Sequence, residues 1–268
     1  MIIDDIDFAQ CYLDHMQFAK RTEKPASSWD AKAEKMAQTC AKPTDPYLIR
    51  FLELMELSDA DTLLDIGCGP GTICLAVADK LKQVYGLDYS TGMLAVAQRR
   101  IDEQKLTNAT LIQKAWEDNW DDVPECDIVV ASRSTLVTNM QDALTKLNAK
   151  AQKRVYTTHT VSPHFMDAEI LRAIGRHDAG LPTYIYAVNI LYQMGIHPKI
   201  EYIYSKNCQA QTETYELFEK SIDWSLNGLT DGEKQKLKHY YQDKINKGEP
   251  PISPVRGWAF VYWDKHPY

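Results

Sequence analysis

Apolar positions along the chain recur first at helical spacing, then in short unbroken runs, then at helical spacing again. Ile6, Cys11, Leu13, Met16 and Phe18 keep one apolar side through residues 2–20, and Trp29, Ala33, Met36 and Ala37 do so through 29–41. Lys24-Pro25-Ala26-Ser27-Ser28 separates the two, with Ser28 placed to cap the second. A third helix starts between Pro43 and Pro46 and continues through Leu48, Phe51, Leu52 and Met55, so the first 57 residues read as a helical prologue. The period then changes. Thr62-Leu63-Leu64-Asp65-Ile66 is a continuous apolar run ending at glycines, the pattern of a strand buried on both faces. A helix over 71–82 leads to a strand over 83–88, a helix over 90–104 to strands over 109–113 and 126–131, and a helix over 139–149 to a strand over 154–158. Strands alternating with helices in this way imply right-handed crossovers and a parallel sheet covered on both faces.

Beyond residue 160 the alternation loosens. Residues 164–195 read as two helices, the second rich in Tyr184, Tyr186, Leu191, Tyr192 and Met194, before a sixth strand near 199–204. Residues 211–248 read as helical again, and Arg256 to Trp263 as a last strand. These two helical additions are expected to cover an otherwise open crevice.

Composition narrows the class. The chain has 268 residues, 44% apolar and 25% charged, within the ordinary range for a folded domain. Thirty basic against 37 acidic residues give a net charge of −7, a sign that opposes binding to a phosphate backbone. Gln98-Arg99-Arg100, the nearest approach to a basic patch, reads as a solvated helix face. No run approaches the roughly 18 apolar residues that cross a bilayer, and the acidic start MIIDDIDFAQ is unlike a signal peptide, so a cytoplasmic location is expected, with no membrane and no nucleic acid partner. Cys11, Cys40, Cys68, Cys74, Cys126 and Cys208 form no paired spacing, which favours neither a metal site nor a disulfide framework.

The candidate chemistry lies at the first strand's end. Gly67-Cys68-Gly69-Pro70-Gly71 must turn sharply there and present bare backbone, and a helix starting near Gly71 would offer unpaired N–H groups to an anion. Asp65 precedes the glycines, and Asp88 ends the next strand, where an acid can accept from both hydroxyls of a ribose. Asp88 could also simply cap the helix that follows.

Leu63-Leu64-Asp65-Ile66-Gly67-Cys68-Gly69-Pro70-Gly71-Thr72 resembles the first motif of the class I methyltransferases that use S-adenosylmethionine, and Val84-Tyr85-Gly86-Leu87-Asp88-Tyr89-Ser90 resembles the second. The likeness spans roughly residues 45–160. It implies an α/β Rossmann-like three-layer sandwich: a mostly parallel seven-stranded sheet with an antiparallel last strand, plus the helical additions. A prologue over 1–57 would serve as a lid on a methyltransferase domain over 58–268, and the cofactor would be S-adenosylmethionine. By the same resemblance Asp65 faces the methionine portion, Gly67, Cys68, Gly69, Gly71 and Thr72 line the backbone contacts, Asp88 holds the ribose, and Tyr89 and Met93 flank the adenine. A nicotinamide-dependent oxidoreductase shares the strand, the loop and the ribose acid. Its fingerprint is G-x-G-x-x-G, however, whereas Thr72 stands where the third glycine belongs.

The rest of the pocket is less patterned. The family often carries Gly-Asp after the third strand, and this chain has Lys114-Ala115-Trp116-Glu117-Asp118, leaving Glu117 for the adenine amino group and Trp116 either for a flat wall or to close the core edge. Ser132 and Arg133 end the fourth strand, where Ser132 would contact cofactor and Arg133 would bind an anionic substrate or pair with a neighbouring acid. Ser28-Trp29-Asp30-Ala31-Lys32-Ala33 resembles the segment that folds over the cofactor as a lid in many small-molecule members, which would set Trp29 over the methionine moiety; a Trp on an amphipathic helix also fits the core. Methyl transfer needs alignment first and a base only if the nucleophile carries a proton. His159, His164, Arg133 and Tyr184 are the catalytic candidates; a lone histidine is more often structural, and the tyrosines also fit a buried helix face. The expected function is methylation of a small molecule, against a protein acceptor or a non-catalytic binder of the cofactor or its product.

Overall fold

Seven strands, β1 (Thr62–Ile66), β2 (Gln83–Asp88), β3 (Ala109–Gln113), β4 (Cys126–Ala131), β5 (Ala151–Thr160), β6 (Lys199–Lys206) and β7 (Val255–Asp264), make one sheet in the order β3-β2-β1-β4-β5-β7-β6. The structure, a computed structural model, describes residues 2–20, 24–164, 167–176, 180–206, 213–252 and 255–265. Cys208 lies outside the described residues. β1 through β5 pair in parallel, and β7 runs antiparallel between β5 and β6. The chain therefore has the expected mostly parallel seven-stranded sheet with an antiparallel last strand.

Period-2 alternation sorts the two cores. Leu64, Ile66, Val129 and Val155 point to one face, under α1 (Phe8–Phe18), α6 (Met140–Lys150) and α8 (Tyr184–Gln193). Leu63, Ile128, Val130 and Phe260 point to the other, against Tyr47, Leu48 and Phe51 of α4 (Pro46–Leu54) and Ile101 of α5 (Thr91–Gln104). A third cluster joins α7 (Ala168–Ile174) to α9 (Tyr215–Ser225) and α10 (Asp231–Asn246) through Ile170, Phe218, Ile222 and Leu237. Among the described residues no helix is long and apolar enough to cross a membrane.

Two local expectations are corrected. The helix expected over 29–41 is two short ones, α2 (Ala26–Asp30) and α3 (Ala33–Thr39), so Ser28 lies inside α2 and Pro25 stands at its cap. The break follows from tertiary contact: Asp30 Oδ1 accepts from Ser90 Oγ at 2.6 Å and Gly92 N at 2.7 Å, which ties the end of α2 to the start of α5. Nor is there an α-helix over 71–82; the segment forms two 3-10 turns, Cys74–Ala76 and Ala78–Lys80. Thr72, Ile73 and Val77 are β-branched and poor helix formers. Asp65 Oδ2 also accepts from Cys74 N at 3.1 Å, which fixes the backbone in a tighter turn. The anion-binding helix terminus expected after Gly71 is therefore absent.

Candidate active site

The carboxyl ends of β1, β2, β4 and β5 open into a cavity of about 880 Å³, also lined by Trp29 of α2 and by Trp224 and Ser225 of α9. At its floor Gly67 N and Cys68 N both donate to the carbonyl of Leu87, at 2.7 and 3.0 Å, so the loop after β1 is hooked onto the tip of β2. Gly67, Gly69 and Gly71 have φ of +67°, +55° and +74°. The left-handed region costs other residues roughly 1–2 kcal/mol. At Gly67 a side chain would also meet Ser134, whose Cβ lies 2.4 Å from the position a Cβ would take and whose Oγ donates to Ile66 O at 2.7 Å. Glycine is needed there for conformation and for space.

Asp88 accepts Gly69 N on Oδ2 at 2.8 Å and Ser90 N on Oδ1 at 2.9 Å. Its carboxylate is thereby fixed at the strand tip, and burial raises its pKa. Asp65 is 1% exposed, and burial raises its pKa to about 7, opposed by the hydrogen bond from Cys74 and reinforced by Asp88. With Glu117 these form the acidic end of the cavity. An acidic end of this kind suits a ligand that carries cationic groups and sugar hydroxyls.

Trp29, Tyr89, Met93, Trp116, Glu117, Ser132, Cys68, Gly69 and Thr72 all line the cavity with Asp65, Gly67 and Asp88. Gly71 does not; it packs beneath, where a Cβ would fall 2.6 Å from the Leu75 side chain. Tyr89 Oη donates to Lys24 O at 2.9 Å, and Trp29 meets Trp224 of α9 edge to face with ring centroids 6.1 Å apart. The ammonium groups of Lys24 and Lys32 lie 3.8 and 3.1 Å from the centroid of Trp224, so the prologue and α9 meet across the cavity roof. Trp116 rests on Trp120 at 5.4 Å.

Of the catalytic candidates, His159, His164 and Arg133 line the cavity, and Tyr184 does not. Tyr184 instead hydrogen-bonds Tyr202 at 2.9 Å on the outer side of α8. His159 is 4% exposed and burial lowers its pKa to about 3. Its Nε2 lies 2.9 Å from Thr157 Oγ1, which itself donates to Val261 O at 2.8 Å. Thr157 has a single proton to give, so Nε2 carries the hydrogen and His159 is a neutral, weakly basic imidazole.

Three residues that pattern reading passed over have parts in the site. Arg100, expected on a solvated face, donates to Pro70 O, to Gly71 O at 3.3 Å and to Ala41 O at 3.1 Å, so it clamps the glycine loop from below. Arg99 does fit that reading, pairing with Glu34 on the exposed side at 2.6 and 2.8 Å. Tyr47 is 1% exposed, and its hydroxyl hydrogen-bonds Ser132 Oγ and Thr158 Oγ1, both at 2.8 Å. Arg256, on β7, reaches the same cavity. The only local signal for Tyr47 was its place one turn before Phe51 on an amphipathic helix.

A parallel sheet with a glycine turn after its first strand and an acid at the tip of its second defines the class of nucleoside-binding α/β enzymes to which methyltransferases belong. Residues 57–241 match the family model described as a methyltransferase domain, and the chain belongs to that family. Its cofactor is S-adenosylmethionine. A Haemophilus influenzae protein described only as uncharacterized is 41% identical over 264 residues, 98% of each chain. Among solved structures, the fold matches the YcgJ protein of Bacillus subtilis with a TM-score of 0.57 and 15% identity over 83% of this chain and 99% of that one. It also matches Haemonchus contortus phosphoethanolamine N-methyltransferase 2, described in complex with phosphomonomethylethanolamine and S-adenosylhomocysteine, with a TM-score of 0.55, 17% identity, and coverage of 97% of this chain and 60% of that one.

Proposed function

We propose that the chain transfers a methyl group from S-adenosylmethionine to a small-molecule acceptor. The observation that carries this reading is one continuous cavity lined from the glycine loop and its acids to Leu171, Leu181 and Trp224 of the helical additions. At about 880 Å³ it lies near the top of the roughly 300–1,000 Å³ typical of small-molecule pockets, room enough for two ligands side by side.

In this reading Asp88 takes the ribose hydroxyls, and Gly67, Cys68 and Gly69 present backbone to the aminoacyl part beside Asp65. Tyr89 and Met93 flank the base, with Trp116 and Glu117 on its other side, Ser132 contributes at the tip of β4, and Trp29 closes from above. Thr72 completes the wall, and Gly71 supports the turn from below. When bound, the cofactor supplies a methyl group already activated on a sulfonium sulfur, so the protein's work is chiefly to align and to exclude water. His159, neutral and buried, holds the wall of the acceptor side and orients Thr157. His164, partly exposed and lining the same cavity, would be the residue to take a proton from an acceptor hydroxyl or thiol, a reading its place in the lining supports. Residues 1–57 act as the lid and 58–268 as the body that carries the chemistry.

The test is incubation with methyl-labelled cofactor and the low-molecular-weight fraction of a cell extract. Label is expected in a small molecule, and transfer only into protein, or cofactor binding without transfer to anything, would contradict the reading.

A further inference from the structure

The hydroxyls at the carboxyl end of β5 all have their hydrogens committed to the chain. Thr157 Oγ1 donates to Val261 O at 2.8 Å and Thr160 Oγ1 to Pro182 O at 3.4 Å. Thr158 is wholly buried, its Oγ1 already receives the N–H of Arg133 at 2.9 Å, and among the described residues the acceptor left for its hydrogen is Tyr47 Oη at 2.8 Å. Thr135, across from them, donates to Thr158 O at 2.7 Å. His159 stands among these threonines with two ring nitrogens. Nε2 gives its hydrogen to Thr157 Oγ1 at 2.9 Å, which leaves Nδ1 as a bare lone pair. No group among the described residues hydrogen-bonds Nδ1. His159 is buried yet lines the cavity, and among the described residues the side-chain nitrogen or oxygen that is both sealed from solvent and unpartnered is His15 Nε2 alone. His159 Nδ1 therefore opens onto the cavity.

A ring held in this way cannot exchange the roles of its nitrogens. Were the hydrogen on Nδ1 instead, Nε2 would face Thr157 Oγ1 with no hydrogen between them, because Thr157 gives its own to Val261 O on β7. Burial keeps the imidazole neutral by lowering its pKa to about 3. Nδ1 thus accepts a hydrogen bond and can neither donate one nor carry charge. A ligand that brings a hydrogen to such a nitrogen replaces the bond lost with water, and one that brings only apolar surface leaves it unpaired.

Resting on the methyltransferase reading above, we propose that His159 sets the acceptor specificity: its Nδ1 receives an O–H or N–H hydrogen of the methyl acceptor. So weak a base orients that hydrogen without removing it. A molecule that has no such hydrogen to offer, such as an ether, leaves Nδ1 unpaired and is discriminated against. Leu171, Leu181 and Trp258 line the same cavity, so a probe built on one aromatic ring suits it.

The test is nitrogen-15 NMR of the full chain labelled at its histidine rings, saturated with S-adenosylhomocysteine at neutral pH and titrated with phenol and with toluene, which has the same shape without the hydroxyl hydrogen. The His159 signals are those lost in His159→Leu or, should that variant fold poorly, those that stay neutral at mildly acid pH. The hydrogen is expected on Nε2. Phenol is expected to shift the Nδ1 signal saturably, and toluene to leave it in place. His159→Leu is expected to weaken phenol relative to toluene by about fivefold or more. A hydrogen on Nδ1, an Nδ1 signal that phenol does not move or that toluene moves equally, or an unchanged ratio of phenol to toluene affinity in His159→Leu would overturn the proposal. So would capture of Nδ1 by S-adenosylhomocysteine alone, which would give the nitrogen to the cofactor. The contrast between the two probes in the unaltered protein decides the matter without the variant. Absence of S-adenosylhomocysteine binding would sink the methyltransferase reading instead, and is seen before any probe is added.

Discussion

Gly92 of α5 meets Asp30 of α2, and Gly92→Ala tests whether that contact, between the proposed lid and body, controls the cofactor site. In an ordinary helix this change adds up to about 1 kcal/mol. Here a Cβ would fall 2.7 Å from the Cα of Asp30 and 2.8 Å from its Oδ1, so backbone, and not merely a side-chain tip, must give way. Overpacking of this kind costs about 1–3 kcal/mol. The body can escape that strain by releasing α2, because Ser90 caps α5 by itself through Met93 N at 3.1 Å. Released, α2 takes Trp29 out of the cavity wall. A lid held open by about 1.4 kcal/mol weakens ligand binding roughly tenfold. Calorimetric titration with S-adenosylhomocysteine should therefore show about a tenfold loss of affinity, with urea stability changed by less than about 1 kcal/mol. Asp30→Ala should share the loss, and the pair should not add, since both break one contact. Unchanged affinity together with the ordinary helical gain in stability would refute the reasoning.

Two further expectations concern pH. Asp65, raised to about 7 by burial, is favoured in its protonated form by folding, so its contribution to stability, full below an unfolded pKa of about 4, is lost as pH rises through about 7. A ligand whose cationic group favours the carboxylate should then bind roughly tenfold more tightly at pH 8 than at pH 6, with proton release seen in buffers of different ionisation heat. Asp65→Asn should flatten that profile, and an equal slope in the variant would count against the assignment. For His159, lowered to about 3 by burial, the sign is reversed: its contribution is full above about pH 6.5 and lost as pH falls toward 3. Urea titrations should show the native protein losing about 1.4 kcal/mol per pH unit below pH 6 relative to His159→Gln, and parallel acid limbs would refute it.

The sheet was legible because its strands announce themselves locally. Thr62 to Ile66, Gln83 to Asp88, Ala109 to Gln113 and Cys126 to Ala131 are apolar runs bounded by turn residues, and all four have the ends expected. The glycine turn and Asp88 were legible because a chain reversal and a strand-tip acid each need particular residue types. What escaped were side chains whose place is set by distant partners. Nothing near Arg100 says that it clamps carbonyls of Pro70 and Ala41, and nothing near Trp224 says that two lysines of the prologue lie on its ring. The helix expected over 71–82 failed for a related reason: its apolar period is real, but β-branched residues and the Asp65 bond to Cys74 favour tighter turns. Tyr184 lies away from the cavity lining because α8 turns it toward Tyr202, a neighbour 18 positions away.

The central claim is that the turn after Ile66 and the carboxylate of Asp88 together hold an aminoacyl sulfonium nucleoside. Calorimetric titration of the full chain and of Asp88→Ala with S-adenosylhomocysteine, beside NAD, tests it most directly. Micromolar binding of S-adenosylhomocysteine by the unaltered chain, abolished in Asp88→Ala, with no heat from NAD, is the result the account predicts. Binding of NAD in its place, or undiminished binding by the variant, would contradict it.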